Sequence, residues 1–233
     1  MRAGAGLLFI LLVLTGCAAA PIGEAEDPFE PVNRHTQAGF LWLDDHVLHP
    51  VSDAYVGSVP EGVRRSIHNA LANLGLPVVI VNDLLQGNLS LSASGLGRLA
   101  VNSTAGLGGL FDVAGDLGLK PHQADFGQTF GVWGIGEGPY LFLPFFGPSN
   151  PRDAVGTALG IAGNPLILLG GWEAAASVGG TTVSGALDSR ARRSEALDRL
   201  RGESLDYYAA LRAAYRQNRL YHIEQGRAGR PAD

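Results

Sequence analysis

The chain has 233 residues, 46% hydrophobic and 17% charged, with a formal charge of −5. That length holds one domain or two small ones and a core that needs no covalent staples. A mildly acidic chain with no basic block is a poor nucleic-acid binder, and a lone cysteine, Cys17, excludes an internal disulfide framework and any CxxC-type zinc or redox site.

The N-terminus reads as an address. Arg2 precedes a short apolar run, Gly6–Leu14, which is too short to span a bilayer. Leu14-Thr15-Gly16-Cys17 then places small residues before the lone cysteine, the pattern of a bacterial lipobox. Cleavage there predicts a signal peptide over 1–16 and acylation of Cys17. The mature chain then holds 16 Lys+Arg against 22 Asp+Glu, a charge of −6. Two or more acyl chains anchor a protein stably where one does not. Ala18 rather than Asp follows the cysteine, which favours export to the outer membrane of a Gram-negative bacterium.

Residues 17–30 form an acylated tether, a helical domain covers 31–222, and 223–233 is a loose tail. Val32–Leu48 is a moderate helix closed by Pro50. Pro60–Leu74 is a better one, with Val63, Ile67, Leu71 and Leu74 on one stripe. Pro77–Gln86 is short and apolar, with helix slightly ahead of strand. Ser90–Val101 is weakly helical, and Gly109–Leu117 is a short helix candidate. Phe130–Ile135 and Tyr140–Phe145 flank Gly136-Glu137-Gly138-Pro139 and predict a hairpin-like excursion. Thr182–Leu200 is an amphipathic helix. Ser204 is a candidate cap for a last helix that runs to about Tyr221.

The middle is odd. Phe126–Trp172 carries three charges in 47 residues, and Ala154–Trp172 carries none, yet glycines and Asn164-Pro165 break it up. It is either buried core or a surface that faces hydrocarbon. Apolar surface of this size is a liability on a soluble monomer but not on a membrane-tethered one.

Catalytic signatures are missing: no G-x-S-x-G elbow, no P-loop and no H-E-x-x-H occurs. Gly95–Ala100 matches G-x-G-x-x-A but follows no clear strand. His46 and His49, near Asp44 and Asp45, read better as a solvated helix end than as metal ligands. Asn88-Leu89-Ser90 and Asn102-Ser103-Thr104 match a glycosylation pattern that means little in a bacterial lipoprotein. These observations argue against a lipid-modifying enzyme and imply no cofactor and no metal.

Several ordered stretches carry a resemblance. They are Asp27-Pro28-Phe29-Glu30-Pro31-Val32-Asn33-Arg34, Val63–Asn69 with Asn73-Leu74, Asn82–Gly87, Asn102–Ala114, Asp125–Gly134, Gly138-Pro139-Tyr140-Leu141, and Leu143-Pro144 with Gly147-Pro148-Ser149. Over about residues 27–220 the chain resembles the MlaA (VacJ) family of outer-membrane lipoproteins. The resemblance implies an all-α, ring-like domain around an amphipathic channel, with a Gly-rich hairpin-like loop. It also implies removal of mislocalised phospholipids from the outer leaflet. The partners it implies are a porin trimer and a periplasmic phospholipid-binding carrier, with the energy spent elsewhere. A structural lipoprotein that scaffolds porin assemblies is the alternative.

Polar motif residues are then candidates for the lipid path: Asn73, Asn82, Arg98, Asn102, Asp125 and Gln128. The plainer reading is that they cap helices and hold turns. Gly106, Gly108 and Gly109 are a hinge or allow close packing. Trp133, Gly136, Gly138 and Pro139 belong to a loop that gates a channel or rests against the ring.

Overall fold

The computed structural model describes residues 27–163, 185 and 187–229. Cys17, the tether up to residue 26, Asn164-Pro165 and the start of the 182–200 helix lie outside them. Helices dominate, with a single two-stranded ribbon among the described residues.

Helix α1, Glu30–Leu43, begins with Pro31 in its first turn. Pro50 does not close the helix as expected. The chain widens into a π-helical segment, Asp44–Leu48, in which the His49 amide bonds to the Asp44 carbonyl, and then continues as α2, His49–Ser58. A proline lacks a donor and its ring crowds the carbonyl four residues back. A π-helical turn relieves that crowding without ending the helix.

Helix α3, Glu61–Leu85, fuses the two segments read from sequence. Pro77 lies inside it, so the Asn73 carbonyl loses its helical donor. At 25 residues it is about 37 Å long. Helix α4, Leu89–Thr104, packs back on it, and Gly95 leaves room for the Ile80 side chain. A compact turn follows, in which Leu107, Gly108 and Gly109 all have positive φ. A Cβ at Gly106 would strike the Phe111 and Asn102 carbonyls, and one at Gly109 would strike Asn73. These two glycines therefore allow close packing.

Helix α5, Val113–Asp116, is one turn capped by Asp112. Helix α6, Phe126–Val132, replaces the first arm of the expected hairpin: the Asp125 carboxylate accepts the Gln128 amide and starts a helix there. The hairpin lies further on. Strands β1, Leu141–Leu143, and β2, Gly147–Ser149, pair antiparallel with Leu141 opposite Ser149. The turn is Pro144-Phe145-Phe146, with Phe145 at φ 66°. Gly136–Pro139 is not the tip, and Gly138 rests against Pro151.

Helix α7, Pro151–Ala162, is capped by Asn150, whose side chain accepts the Asp153 amide. Helix α8 covers 187–203 of the described residues. Helix α9, Tyr207–Ala228, is capped by Asp206 rather than Ser204 and closed by Gly229 in the left-handed region. It outruns the expected end at Tyr221 by two turns, so residues up to Ala228 are not a loose tail.

Packing is inverted relative to a soluble domain. Among the described residues, eight hydrophobic side chains are buried against 17 polar or charged ones. The apolar core is an aromatic cluster of Tyr140, Phe142 and Tyr208, joined by Phe40, Leu211 and Tyr215. Meanwhile Val32, Trp42, Leu89, Leu96, Leu107, Leu117 and Phe145 stand exposed. Exposed apolar surface and buried polar groups are the informative departures from ordinary packing.

Candidate functional site

The buried polar side chains form connected networks. The first joins the end of α3 to α6 and α9. Asn82 Oδ1 accepts the Thr129 hydroxyl at 2.7 Å, and Gln86 Nε2 donates to the same hydroxyl at 2.9 Å. Gln128 Nε2 donates to the His222 carbonyl at 2.9 Å, and Asn88 Nδ2 to the Gly226 carbonyl at 2.7 Å. Gly226 is bare because a Cβ would collide with the Gln86 and Gln128 amides.

Beside this network lies a small cleft lined by Asp83, Gln86, Leu91, His122, Gln123, Gln128, His222 and Gln225. All but Leu91 are polar. His122 Nε2 meets Asp83 Oδ2 at 2.7 Å, and both side chains are buried. Burial, with the Arg219 charge nearby, lowers the pKa of His222.

The second network centres on Asp153. Its carboxylate accepts from Arg152, Arg219, Asn150 and the Tyr215 hydroxyl. Arg219 also forms a two-pronged pair with Asp125, at 2.7 and 2.6 Å. Burial pushes the Asp153 pKa up, but the Arg152 bond, the Arg219 charge and the Tyr215 hydroxyl outweigh it and hold the group below its ordinary value.

The third network ties α4 to α5. Asp112 Oδ1 accepts from Arg98 at 2.9 Å, Asn102 at 2.9 Å and the Gly115 amide at 3.1 Å. Burial raises its pKa, but these donors prevail and lower it. Arg98 also donates to the Leu119 carbonyl. Asn73 donates to Ser103, and its Oδ1 is buried without a partner.

The fourth network closes the N-terminal end. Asp27 accepts from Arg212 Nη1 at 3.0 Å and from the Tyr208 hydroxyl. Burial and the Asp27 bond push the Tyr208 pKa up to about 12. Asn33 imitates a strand edge. Its Nδ2 donates to the Tyr140 carbonyl and its Oδ1 accepts the Phe142 amide, both at 2.9 Å. Asn33→Ala should leave both backbone groups buried and unpaired, at a cost of about 2 kcal/mol. A lower urea midpoint with an unchanged slope checks this, and an unchanged midpoint refutes it.

The six polar candidates therefore fall into three places. Asn82, Asp125 and Gln128 meet at the α3–α6–α9 junction, Arg98 and Asn102 share Asp112, and Asn73 packs under the 105–111 turn. All except Asp125 are buried. Of the loop candidates, Trp133 ends α6 and donates to the Leu85 carbonyl at 2.9 Å. Gly136 has open space around it. Glu137, beside it, pairs with Arg216 of α9 at 3.0 Å.

Sequence reasoning missed Asp27, Asn33, Asp112, His122, Asp153, Tyr215 and Arg219 as site residues. One signal was available: Tyr208, Arg212, Tyr215, Arg219, His222 and Gly226 recur every three or four residues on α9, so one face carries a chain of polar contacts. The described residues contain no cluster of three metal-ligating side chains and no helix long and apolar enough to cross a membrane.

Comparison with known proteins supplies the family. The family model described as MlaA lipoprotein matches residues 25–222. The Escherichia coli K12 protein named intermembrane phospholipid transport system lipoprotein MlaA is 35% identical over 213 residues, covering 88% of this chain and 82% of that one. The Haemophilus influenzae protein of the same name is 27% identical over 230 residues, covering 94% and 90%. A solved structure, presented as the structural basis for maintenance of bacterial outer membrane lipid asymmetry, superposes with a TM-score of 0.75 at 32% identity, covering 85% of this chain and all of that one. With a family match across most of its length, the chain belongs to the MlaA lipoprotein family.

Proposed function

We propose that this protein is an outer-membrane lipoprotein that removes mislocalised phospholipids from the outer leaflet and passes them to a periplasmic carrier, so keeping the membrane asymmetric. Relatives at 35% identity over most of the chain are named as phospholipid transport lipoproteins. The observation that carries the reading is the inverted packing: polar side chains inside, large apolar ones outside, and no spanning helix among the described residues. Such a body is suited to lie within one leaflet, with its backbone bonds satisfied by its own helices.

The passage itself is a matter of two costs. Acyl chains lose about 0.8 kcal/mol for each CH₂ that leaves hydrocarbon. A headgroup pays for desolvation unless polar partners replace water. An amphipathic, ring-like channel lowers the second cost while tails stay covered, and it needs no cofactor and no catalytic group. The buried amides and imidazoles around Gln128 and His222 support a polar interior of the kind such a path needs. Asn73, Asn82, Arg98, Asn102, Asp125 and Gln128 serve that path by holding the helices that frame it. The Trp133–Pro139 loop stands beside it. Cys17 carries the acyl anchor, and a porin trimer supports the body in the membrane.

The test is outer-leaflet phospholipid, read with a membrane-impermeant amine reagent in cells that lack the protein. The expected result is a rise that the wild-type gene reverses and a Cys17→Ser gene does not. No rise, in cells with an otherwise intact outer membrane, would refute transport and leave a scaffold for porin assemblies.

A further inference from the structure

Outside the four networks, a cluster of donors gathers where α8 meets α2 and α3. At its centre is Asp188 of α8, with its side chain 6% exposed. One oxygen, Oδ2, meets His68 Nδ1 of α3 at 2.8 Å and accepts from Arg192 Nε of α8 at 3.0 Å. His68 and Arg192 are themselves 45% and 43% exposed. The buried carboxylate thus fixes the Arg192 guanidinium through Nε and leaves both Nη groups uncommitted. Arg64, one turn before His68 on α3, is held the same way. Its Nε donates to the Val59 carbonyl at 3.1 Å, and both Nη groups are left over. The Val59 amide in turn donates to the Tyr55 carbonyl at the end of α2. The Tyr55 hydroxyl is buried with no hydrogen-bond partner among the described residues. Burial and the Asp188 charge raise its pKa, while Arg64 and Arg192 draw it down, so the hydroxyl sits in the field of all three.

We propose that Arg64, Arg192 and the Tyr55 hydroxyl form a binding site for the phosphodiester anion of a phospholipid headgroup, with Asp188 and the Val59 carbonyl as the groups that aim them. This rests on the phospholipid reading above and adds to it a place where the phosphate is held. A buried hydroxyl without an acceptor is costly, and an anionic oxygen is the acceptor it lacks. The planar forks of two arginines pair with phosphate oxygens bidentately. A carboxylate is filled by one such fork, whereas a phosphodiester presents enough oxygens for two forks and a hydroxyl. Charge favours the same ligand. Arg64, Arg65, Arg192 and Arg193 stand against Glu61 and Asp188, a local positive excess on a chain whose net charge is −5. Glu61 is taken by Arg65, and Asp188 is buried, so neither repels an anion at the surface. Val56 and Val63, next in sequence to Tyr55 and Arg64, are exposed. Apolar surface beside a phosphate site suits an amphiphile rather than free phosphate.

The test uses the full-length protein in dodecyl maltoside, with palmitoyl-oleoyl phosphatidylglycerol as the added lipid and native mass spectrometry to count what is bound. Arg64→Gln with Arg192→Gln is expected to bind the lipid about tenfold more weakly than wild type. Tyr55→Phe breaks no bond within the protein and should weaken binding about threefold, with an unchanged circular-dichroism helix signal. Arg199→Gln, also on α8 but paired with Glu195, should bind as wild type does. Dioleoylglycerol, which has tails but no phosphate, should not displace the lipid, and inorganic phosphate in excess should. Equal binding by wild type, the double variant and Tyr55→Phe would overturn the proposal. So would displacement by dioleoylglycerol, which would make the tails the recognised part. Phosphate binding that leaves lipid retention untouched would overturn it in favour of a free-phosphate site. Loss of carrier binding alone in the double variant would do so in favour of a protein-docking surface. The transport reading fails separately, when the wild-type gene leaves outer-leaflet phospholipid in cells unchanged.

Discussion

Asp153→Ala should cost about 3–5 kcal/mol, because it leaves Arg152 and Arg219 buried beside one another with their shared counter-charge gone. Arg152 is 5% exposed at its side chain and Arg219 14%, so water cannot take over the role of the carboxylate. Asp125 remains paired with Arg219. For a chain of this size the midpoint of thermal unfolding should fall by about 10 °C. Far-UV circular dichroism in detergent measures it, and a midpoint within 2 °C of wild type, on the order of half a kcal/mol, would show that the network adds nothing.

The same carboxylate has a pH signature. Its pKa in the folded protein lies below the ordinary 3.8. A depressed carboxylate stabilises fully above its unfolded value, and the stability is lost as pH falls through the folded value. Wild type should therefore lose stability more steeply than Asp153→Asn as the pH drops below about 4. Parallel curves would contradict the assignment.

Gly156→Ala should be nearly as damaging by a different route. An added Cβ would land on the Gly127 amide nitrogen, 2.7 Å from the Gly127 Cα and 3.0 Å from the Phe126 carbonyl carbon. All three are backbone, and no side chain can swing aside. Helix α7 must then separate from α6, which carries Gln128 and Thr129 of the polar junction and is capped by Asp125. Overpacking of this kind costs about 3 kcal/mol. Because α6 positions the cleft, the variant should also fail to lower outer-leaflet phospholipid. Gly75→Ala on α3 is the matched contrast. Nothing lies within 4 Å of its Cβ, so it should gain about 0.5–1 kcal/mol from helix propensity. Equal effects of the two changes would refute the close-packing account.

Much of the helical framework was legible from local rules. The 3.6-residue stripe at Val63, Ile67, Leu71 and Leu74 marked the start of α3, whereas the caps Asp125, Asn150 and Asp206 emerged only from the structure. The errors share a cause. Pro50 was read as a stop and Pro77 as the start of a separate segment, because a proline forfeits one hydrogen bond. In the fold, a π-helical turn and long-range packing offset that loss. The hairpin was displaced because Gly136–Pro139 looks like a turn, whereas the ribbon is set by Asn33, more than a hundred residues away in sequence. The last helix was cut short because Gln225–Asp233 is polar and holds Gly226, Gly229 and Pro231, which read as a loose tail. Gly226 is needed there to admit Gln86 and Gln128.

The sequence by itself determined the family and the helical class, because ordered motifs are local strings that survive without coordinates. Only the tertiary structure decided that the polar motif residues point inward into shared networks and that large apolar side chains face out. Alternation along one helix is the same whether the helix meets water, lipid or another helix. Which face is inside depends on partners such as Arg219 and Asp153, or Asn33 and Phe142, that the fold brings together across the chain.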